Sequence, residues 1–143
     1  MQRVREAQVT VNDKSIAQIG QGCVILLGVS KKDKKKEADR LAERILSYRI
    51  FEDDSGKMNR SICDIKGQLL VVSQFTLVAD VAKGTRPSFT PAAEPIAAEE
   101  LYKNFVKKLS STGLRVKTGR FGAKMLVSIH NDGPVTFLLE TSV

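Results

Sequence analysis

Gly22-Cys23-Val24-Ile25-Leu26-Leu27-Gly28-Val29 is the stretch on which the reading of this chain turns. Consecutive apolar side chains in a strand point to both faces, so this segment reads as a strand buried on both sides and central in its sheet. Upstream, Val4, Ala7, Val9 and Val11 follow a period of two with a phase break near Arg5-Glu6, which predicts a bulged strand. Asn12-Asp13-Lys14 makes a turn into a further strand, Ser15 to Ile19, set off from the central one by Gly20-Gln21-Gly22. Downstream the period changes. Ala38, Leu41, Ala42, Ile45 and Leu46 recur at helical spacing in a helix expected from Asp33, and Ala98, Leu101, Tyr102, Phe105, Val106 and Leu109 do so between Pro95 and Gly113. Leu69 to Leu77 reads as one apolar strand with polar Ser73 and Gln74 in its middle. Met125, Val127 and Ile129, then Val135, Phe137 and Leu139, alternate as two late strands joined at Asn131-Asp132-Gly133-Pro134.

With 143 residues, 42% hydrophobic and 27% charged, the chain suits a single domain over 1–143 with one sizeable core. Strands at both ends and two helices between them predict an α+β fold: mainly antiparallel or mixed, barrel-like β-sheets with two packed helices. The segment from Val78 to Pro95 is rich in Gly, Pro, Ser and Thr and reads as a long functional loop. No apolar run approaches the ~20 residues that cross a bilayer, and Met1 to Glu6 lacks the apolar core of an export signal. The expectation is a cytoplasmic protein with no membrane partner. Cys23 and Cys63 form no CxxC pair and read as reduced and structural.

Charge narrows the function. Against 16 Asp+Glu stand 23 Lys+Arg, a net charge of +7, and no acidic residue occurs from Leu101 to Asn131. That stretch holds Lys103, Lys107, Lys108, Arg115, Lys117, Arg120 and Lys124. A polyanion partner and a merely solubilising surface both fit. Lys31 to Lys36 lies at a strand-to-helix junction and reads as surface.

Elimination removes most catalytic templates. The single histidine, His130, rules out a histidine metal cluster, and no metal site is expected. Neither a P-loop nor a dinucleotide fingerprint is present. Asp53-Asp54-Ser55-Gly56 is like a calcium loop for four residues but lacks its glutamate and reads as a turn. His130 alternates with Ile129 in an apolar strand, with no orienting carboxylate nearby except Asp132, and reads as an ordinary strand residue. Cys23 sits where a thiolate would be costly.

Two polar insertions remain. Ser73-Gln74-Phe75-Thr76-Leu77 suits a polar ligand held beside backbone N–H groups, while the pattern alone favours a strand with one face in solvent. Asn131-Asp132-Gly133-Pro134-Val135-Thr136 reads as a hairpin turn, or as a Gly-Pro cis peptide presenting bare backbone.

Taken together, SQFTL at Ser73 to Leu77 and NxGPVT at Asn131 to Thr136 resemble the paired signatures of the D-aminoacyl-tRNA deacylases. The resemblance extends through Gln2-Arg3-Val4, Arg49-Ile50-Phe51, Gly56 to Asn59, Arg86 to Phe89 and Thr118 to Phe121. It implies a cofactor-free homodimer that hydrolyses the ester joining a D-amino acid, or glycine, to the 3′ end of tRNA, with no DNA partner expected. It also implies a cis Gly133-Pro134 bond that enters the partner subunit's site and rejects L-amino acids by collision, with Arg3 fixing this loop across the dimer. Backbone N–H groups near Phe75 and Thr76 would form an oxyanion hole, Ser73 and Gln74 would orient the substrate, and Phe121 and Met125 would line its pocket. The tRNA 2′-hydroxyl is implicated in place of a protein nucleophile; a nucleophilic Thr76 is the lesser alternative, having no adjacent base. Competing readings are a noncatalytic RNA-binding module and a hydrolase of small D-amino acid esters.

Overall fold

The computed structural model describes residues 1–141; Ser142 and Val143, the end of the expected 1–143 domain, lie outside the described residues. Strand β1 (Gln2–Val11) turns at Asn12 and Asp13, both with positive φ (50° and 62°), into β2 (Lys14–Ile19). Asn and Asp tolerate that region and so close a two-residue hairpin. β3 (Gly22–Leu27) continues along the same edge of β1, which pairs antiparallel with β2 at Ala7 to Val11 and with β3 at Gln2 to Val4. β6 (Gln68–Ser73) lies parallel to β3, and β7 (Val116–Thr118) lies parallel to β6. β8 (Leu126–Thr136) covers the other edge of β1. The result is an α+β fold with a mixed, nearly closed barrel-like sheet.

The doubly apolar segment is central, and its alternation divides the core. Cys23, Ile25, Leu27, Leu69 and Val71 face helices α1 (Lys35–Ser47) and α2 (Pro95–Ser110), where Ala42, Ile45, Tyr102, Phe105 and Leu109 meet them. Val24, Leu70 and Val72 point the other way, into the barrel, with Val4, Val9 and Ile19. Gly22 permits this join. A Cβ there would lie 1.7 Å from the Gln68 carbonyl oxygen, so any side chain would push β6 away.

Several expectations are corrected. α1 starts at Lys35, because Asp33 accepts from the Ser30 amide (2.7 Å) and closes a turn first, while Glu37 accepts from the Lys34 amide (2.9 Å). The apolar strand ends at Ser73 and passes into a 3-10 helix, Phe75–Val78. The expected late hairpin is one continuous strand, β8. Its partner register runs from Val4↔Asn131 to Gln2↔Thr136. The four residues Asp132 to Val135 therefore stand opposite Arg3 alone, and the predicted turn is a wide bulge. On β1 the predicted phase break is real: Arg5 is the extra residue between Val4↔Asn131 and Glu6↔His130. The short hairpin β4 (Phe51–Glu52) and β5 (Met58–Arg60) and the strand β7 carry no period long enough to read in sequence.

Candidate active site

Ser73 to Thr76 form the first cluster. The amide of Gln74 still donates to the Leu27 carbonyl (2.8 Å), holding the end of β6 to β3, and the chain then tightens: Leu77 donates to Gln74 (3.2 Å) and Ala79 to Thr76 (3.2 Å). In a 3-10 turn the first bonded amide is the third after its acceptor, here Leu77, so the amides of Phe75 and Thr76 precede the first bond. Gly28 gives this turn its seat. A Cβ on it would come within 3.1 Å of Leu77 and Val78 and 3.2 Å of the Gln74 carbonyl. The Gln74 side-chain amide donates to the Thr76 hydroxyl at 2.5 Å.

Phe121 and Met125 flank the same end of β6 from opposite faces. Phe121 packs on the core beneath the helices, its ring 5.7 Å from that of Tyr102. The Tyr102 hydroxyl in turn donates to the Val71 carbonyl (2.8 Å), and burial pushes its pKa up to about 12. Met125 packs on the barrel side, its sulfur filling the space over Gly119. Sequence reading missed one neighbour: exposed Phe75 meets exposed Phe89, of the long loop, edge to face at 5.0 Å. Phe89 belongs to a segment without a period, and the match over Arg86 to Phe89 marked it without giving it a role.

Arg3, Gly133 and Pro134 form the second cluster. The buried Arg3 donates from Nε to the Asp132 carbonyl (2.9 Å) and from a terminal nitrogen to the Ile50 carbonyl (2.8 Å). This clamp is made within the chain. Asn131 closes the bulge from its other side, accepting from the Val135 amide (2.6 Å) and donating to the Thr136 hydroxyl (2.8 Å). Val135 returns to the core, and Gly133 and Pro134 are left exposed at the tip. The peptide between them is cis, and Gly133 has φ of 133°, a conformation that L side chains rarely adopt.

The two clusters do not meet in one chain. From β8 to β6 is a step of three strands, about 14 Å, and Ser73 lies four residues beyond the level of Arg3, so the path along the curved sheet is on the order of 20 Å.

Elsewhere the sequence reading changes in detail. His130 is an exposed strand residue, and the carboxylate beside it is Glu6 (3.2 Å). Cys23 is buried and Cys63 exposed, which removes Cys63 from the structural class; both are unbridged. Among the described residues no group of three His, Cys, Asp or Glu side chains could hold a metal ion, and no helix is long and apolar enough to cross a membrane.

Comparison with known proteins places this arrangement. A family profile described as D-Tyr-tRNA(Tyr) deacylase matches residues 1–140. D-aminoacyl-tRNA deacylases from Geotalea uraniireducens (strain Rf4) and Haemophilus influenzae (strain PittEE) are 55% and 52% identical, over 99% and 98% of this chain and 91% and 96% of theirs. Among solved structures, one titled c-Myc DNA Unwinding Element Binding Protein superposes with a TM-score of 0.94 at 44% identity, over 99% of this chain and 97% of that one. A probable eukaryotic D-amino acid tRNA deacylase shares the fold, with a TM-score of 0.76 at 17% identity over 92% and 91%. A chain matched from end to end at this level belongs to the D-Tyr-tRNA(Tyr) deacylase family, a family of hydrolases.

Proposed function

We propose that this protein hydrolyses the ester of D-aminoacyl-tRNA, and of glycyl-tRNA, and spares L-aminoacyl-tRNA. One observation carries the reading: the 3-10 turn that follows β6 begins with the free amides of Phe75 and Thr76 at an exposed strand end. Two such donors suit the oxyanion of an acyl-transfer intermediate, and one donor is commonly worth ~3 to 4 kcal/mol. The Thr76 hydroxyl takes its hydrogen bond from the Gln74 amide, which is no base, so a positioning role suits Thr76 better than a nucleophilic one. Attack then falls to water or to the RNA's own 2′-hydroxyl. Ser73 and Gln74 orient the ester, and Phe121 and Met125 line the pocket for the amino acid and the 3′ end.

The chirality filter is the bulge tip. Carbonyl oxygens of Gly133 and Pro134 suit an α-ammonium group, and an L side chain would then run into backbone, whereas a D side chain points away and glycine has none. Because the tip lies far from Thr76 of its own chain, the working unit in this reading is a homodimer, each bulge serving the partner's turn. No metal or organic cofactor takes part.

Single-turnover hydrolysis of D-tyrosyl-, L-tyrosyl- and glycyl-tRNA, with EDTA present, tests the reading. Loss of the D and glycyl esters with the L ester spared is expected. Equal loss of D and L esters would overturn the filter. A second reading, a nucleic-acid-binding module without turnover, is favoured by the basic stretch after Leu101 and by the DNA-binding title of a structural relative. It predicts salt-dependent binding and no ester loss.

A further inference from the structure

The seven cations between Leu101 and Asn131 are one block in sequence and two populations in the fold. Helix α2 employs its own. Lys103 meets Glu99 one turn back at 3.4 Å, and Lys108 crosses to Glu43 of α1 at 2.9 Å. Lys107 stands with Lys108 in the last turn, where the helix dipole favours positive charge. Arg115, Lys117, Arg120 and Lys124 have neither a carboxylate partner nor a side-chain hydrogen bond among the described residues.

Strand β7 determines where these four lie. Val116 packs into the core beneath the helices, on the side from which the Tyr102 hydroxyl reaches the Val71 carbonyl of β6. Alternation turns Arg115 and Lys117 to the opposite face, about 6.6 Å apart. β7 is the outermost strand beyond β6 and runs parallel to it, so both lead toward the Ser73 end. Gly119 then donates to the Val71 carbonyl (3.0 Å) and Ala123 to the Arg120 carbonyl (3.1 Å). This turn sets Arg120 and Lys124 beside the last residues of β6.

We infer that Arg115, Lys117, Arg120 and Lys124 form the track on which phosphates of the tRNA acceptor arm lie while the 3′ ester occupies Ser73 to Thr76, and that the α2 lysines take no part. The inference rests on the deacylase reading for the identity of the RNA. Its physical basis is counterion release: each phosphate neutralised by a free cation steepens the salt dependence of binding by about 0.7 to 0.9 in log–log slope. Lys103 and Lys108, already paired to carboxylates, have less charge to offer, and Lys107 is set against the C-terminal dipole of α2.

Two charge-matched triple variants decide it. R115Q/R120Q/K124Q removes three exposed track cations, and K36Q/K103Q/K107Q removes three from the helices. Binding of uncharged tRNA is measured by fluorescence anisotropy from 50 to 200 mM salt, alongside single-turnover hydrolysis of D-tyrosyl-tRNA and of 3′-O-D-tyrosyl-adenosine; thermal melts check folding. The track variant is expected to bind tRNA about tenfold or more weakly, with a slope reduced by about 2 to 3, and to cleave the adenosine ester as the unaltered protein does. The helix variant is expected to keep both slope and affinity. Equal losses in the two variants, or an unchanged slope in the track variant, would overturn the inference. If the unaltered protein cleaves neither ester, the deacylase reading fails, while the two binding slopes still decide the track.

Discussion

At the scale of the residue, Thr76 separates two chemistries. As a positioned hydroxyl held by Gln74, it contributes one hydrogen bond, and Thr76→Ala is expected to lower the single-turnover rate by about tenfold or less. As a nucleophile its loss would abolish turnover, so rapid-quench rates on D-tyrosyl-tRNA with binding measured in parallel separate the two. Cys23 illustrates the opposite case, a side chain whose chemistry is suppressed. Burial pushes its thiol up from 9.0 to about 12, against the opposing pull of the N-terminal amine and Arg3. The fold thus prefers the neutral thiol, and the unfolded chain ionises first. Stability is full below about pH 9 and falls toward pH 12, by at most ~1.4 kcal/mol per pH unit for this group. Urea midpoints measured from pH 8 to 11 should fall in the native chain, and Cys23→Ala should flatten part of that fall. Tyr102 adds to the loss in the upper part of the range.

At the scale of the element, close approach decides. The Cβ of Gly22→Ala would lie 1.7 Å from the Gln68 carbonyl oxygen, and the resulting separation of β3 from β6 is expected to cost about 3 kcal/mol or more in chemical denaturation. The double alternation of β3 was legible because burial on both faces leaves a direct mark on composition. So were α1 and α2, whose stripes bury Ala42, Ile45, Tyr102, Phe105 and Leu109. The site was legible only in part. Ser73 to Thr76 showed as a polar interruption, but the passage from strand to 3-10 helix depends on Gly28 leaving room for Leu77 and Val78, a contact between distant segments. Gly133-Pro134 showed as a turn because Asn, Gly and Pro favour turns wherever they occur. That the chain rejoins β1 afterwards, instead of reversing, is fixed by the clamp from Arg3, which no local pattern encodes. The unremarkable cations in and around β7 stood apart only once Glu99 and Glu43 were seen to occupy Lys103 and Lys108.

At the scale of the whole molecule, the proposed function pairs the bulge of one chain with the turn of another, and complementation between variants tests that pairing. Phe75→Pro removes one amide donor at a helix position that tolerates proline, and Gly133→Val disrupts the bulge tip. Each homodimer is expected to lose chirally selective hydrolysis, by about 100-fold or more for the amide. Mixing and reannealing the two variants should restore it, because one site of each hybrid would combine an intact turn with an intact tip. A mixture as inactive as its parents would show that bulge and turn act within one chain.

The bulge of β8 leaves the barrel at Asn131 and rejoins it at Thr136, with pairing to β1 intact on both sides. Excision of Asp132, Gly133 and Pro134 would place Val135 opposite Arg3, remove the carbonyl that Arg3 Nε uses, and leave Arg5 as the one irregularity between β1 and β8. To the barrel the bulge is thus an insert between two paired stretches of β8. Its length and composition can change without re-registering a single strand, so in the proposed function a lineage could retune what is rejected while inheriting the strand order.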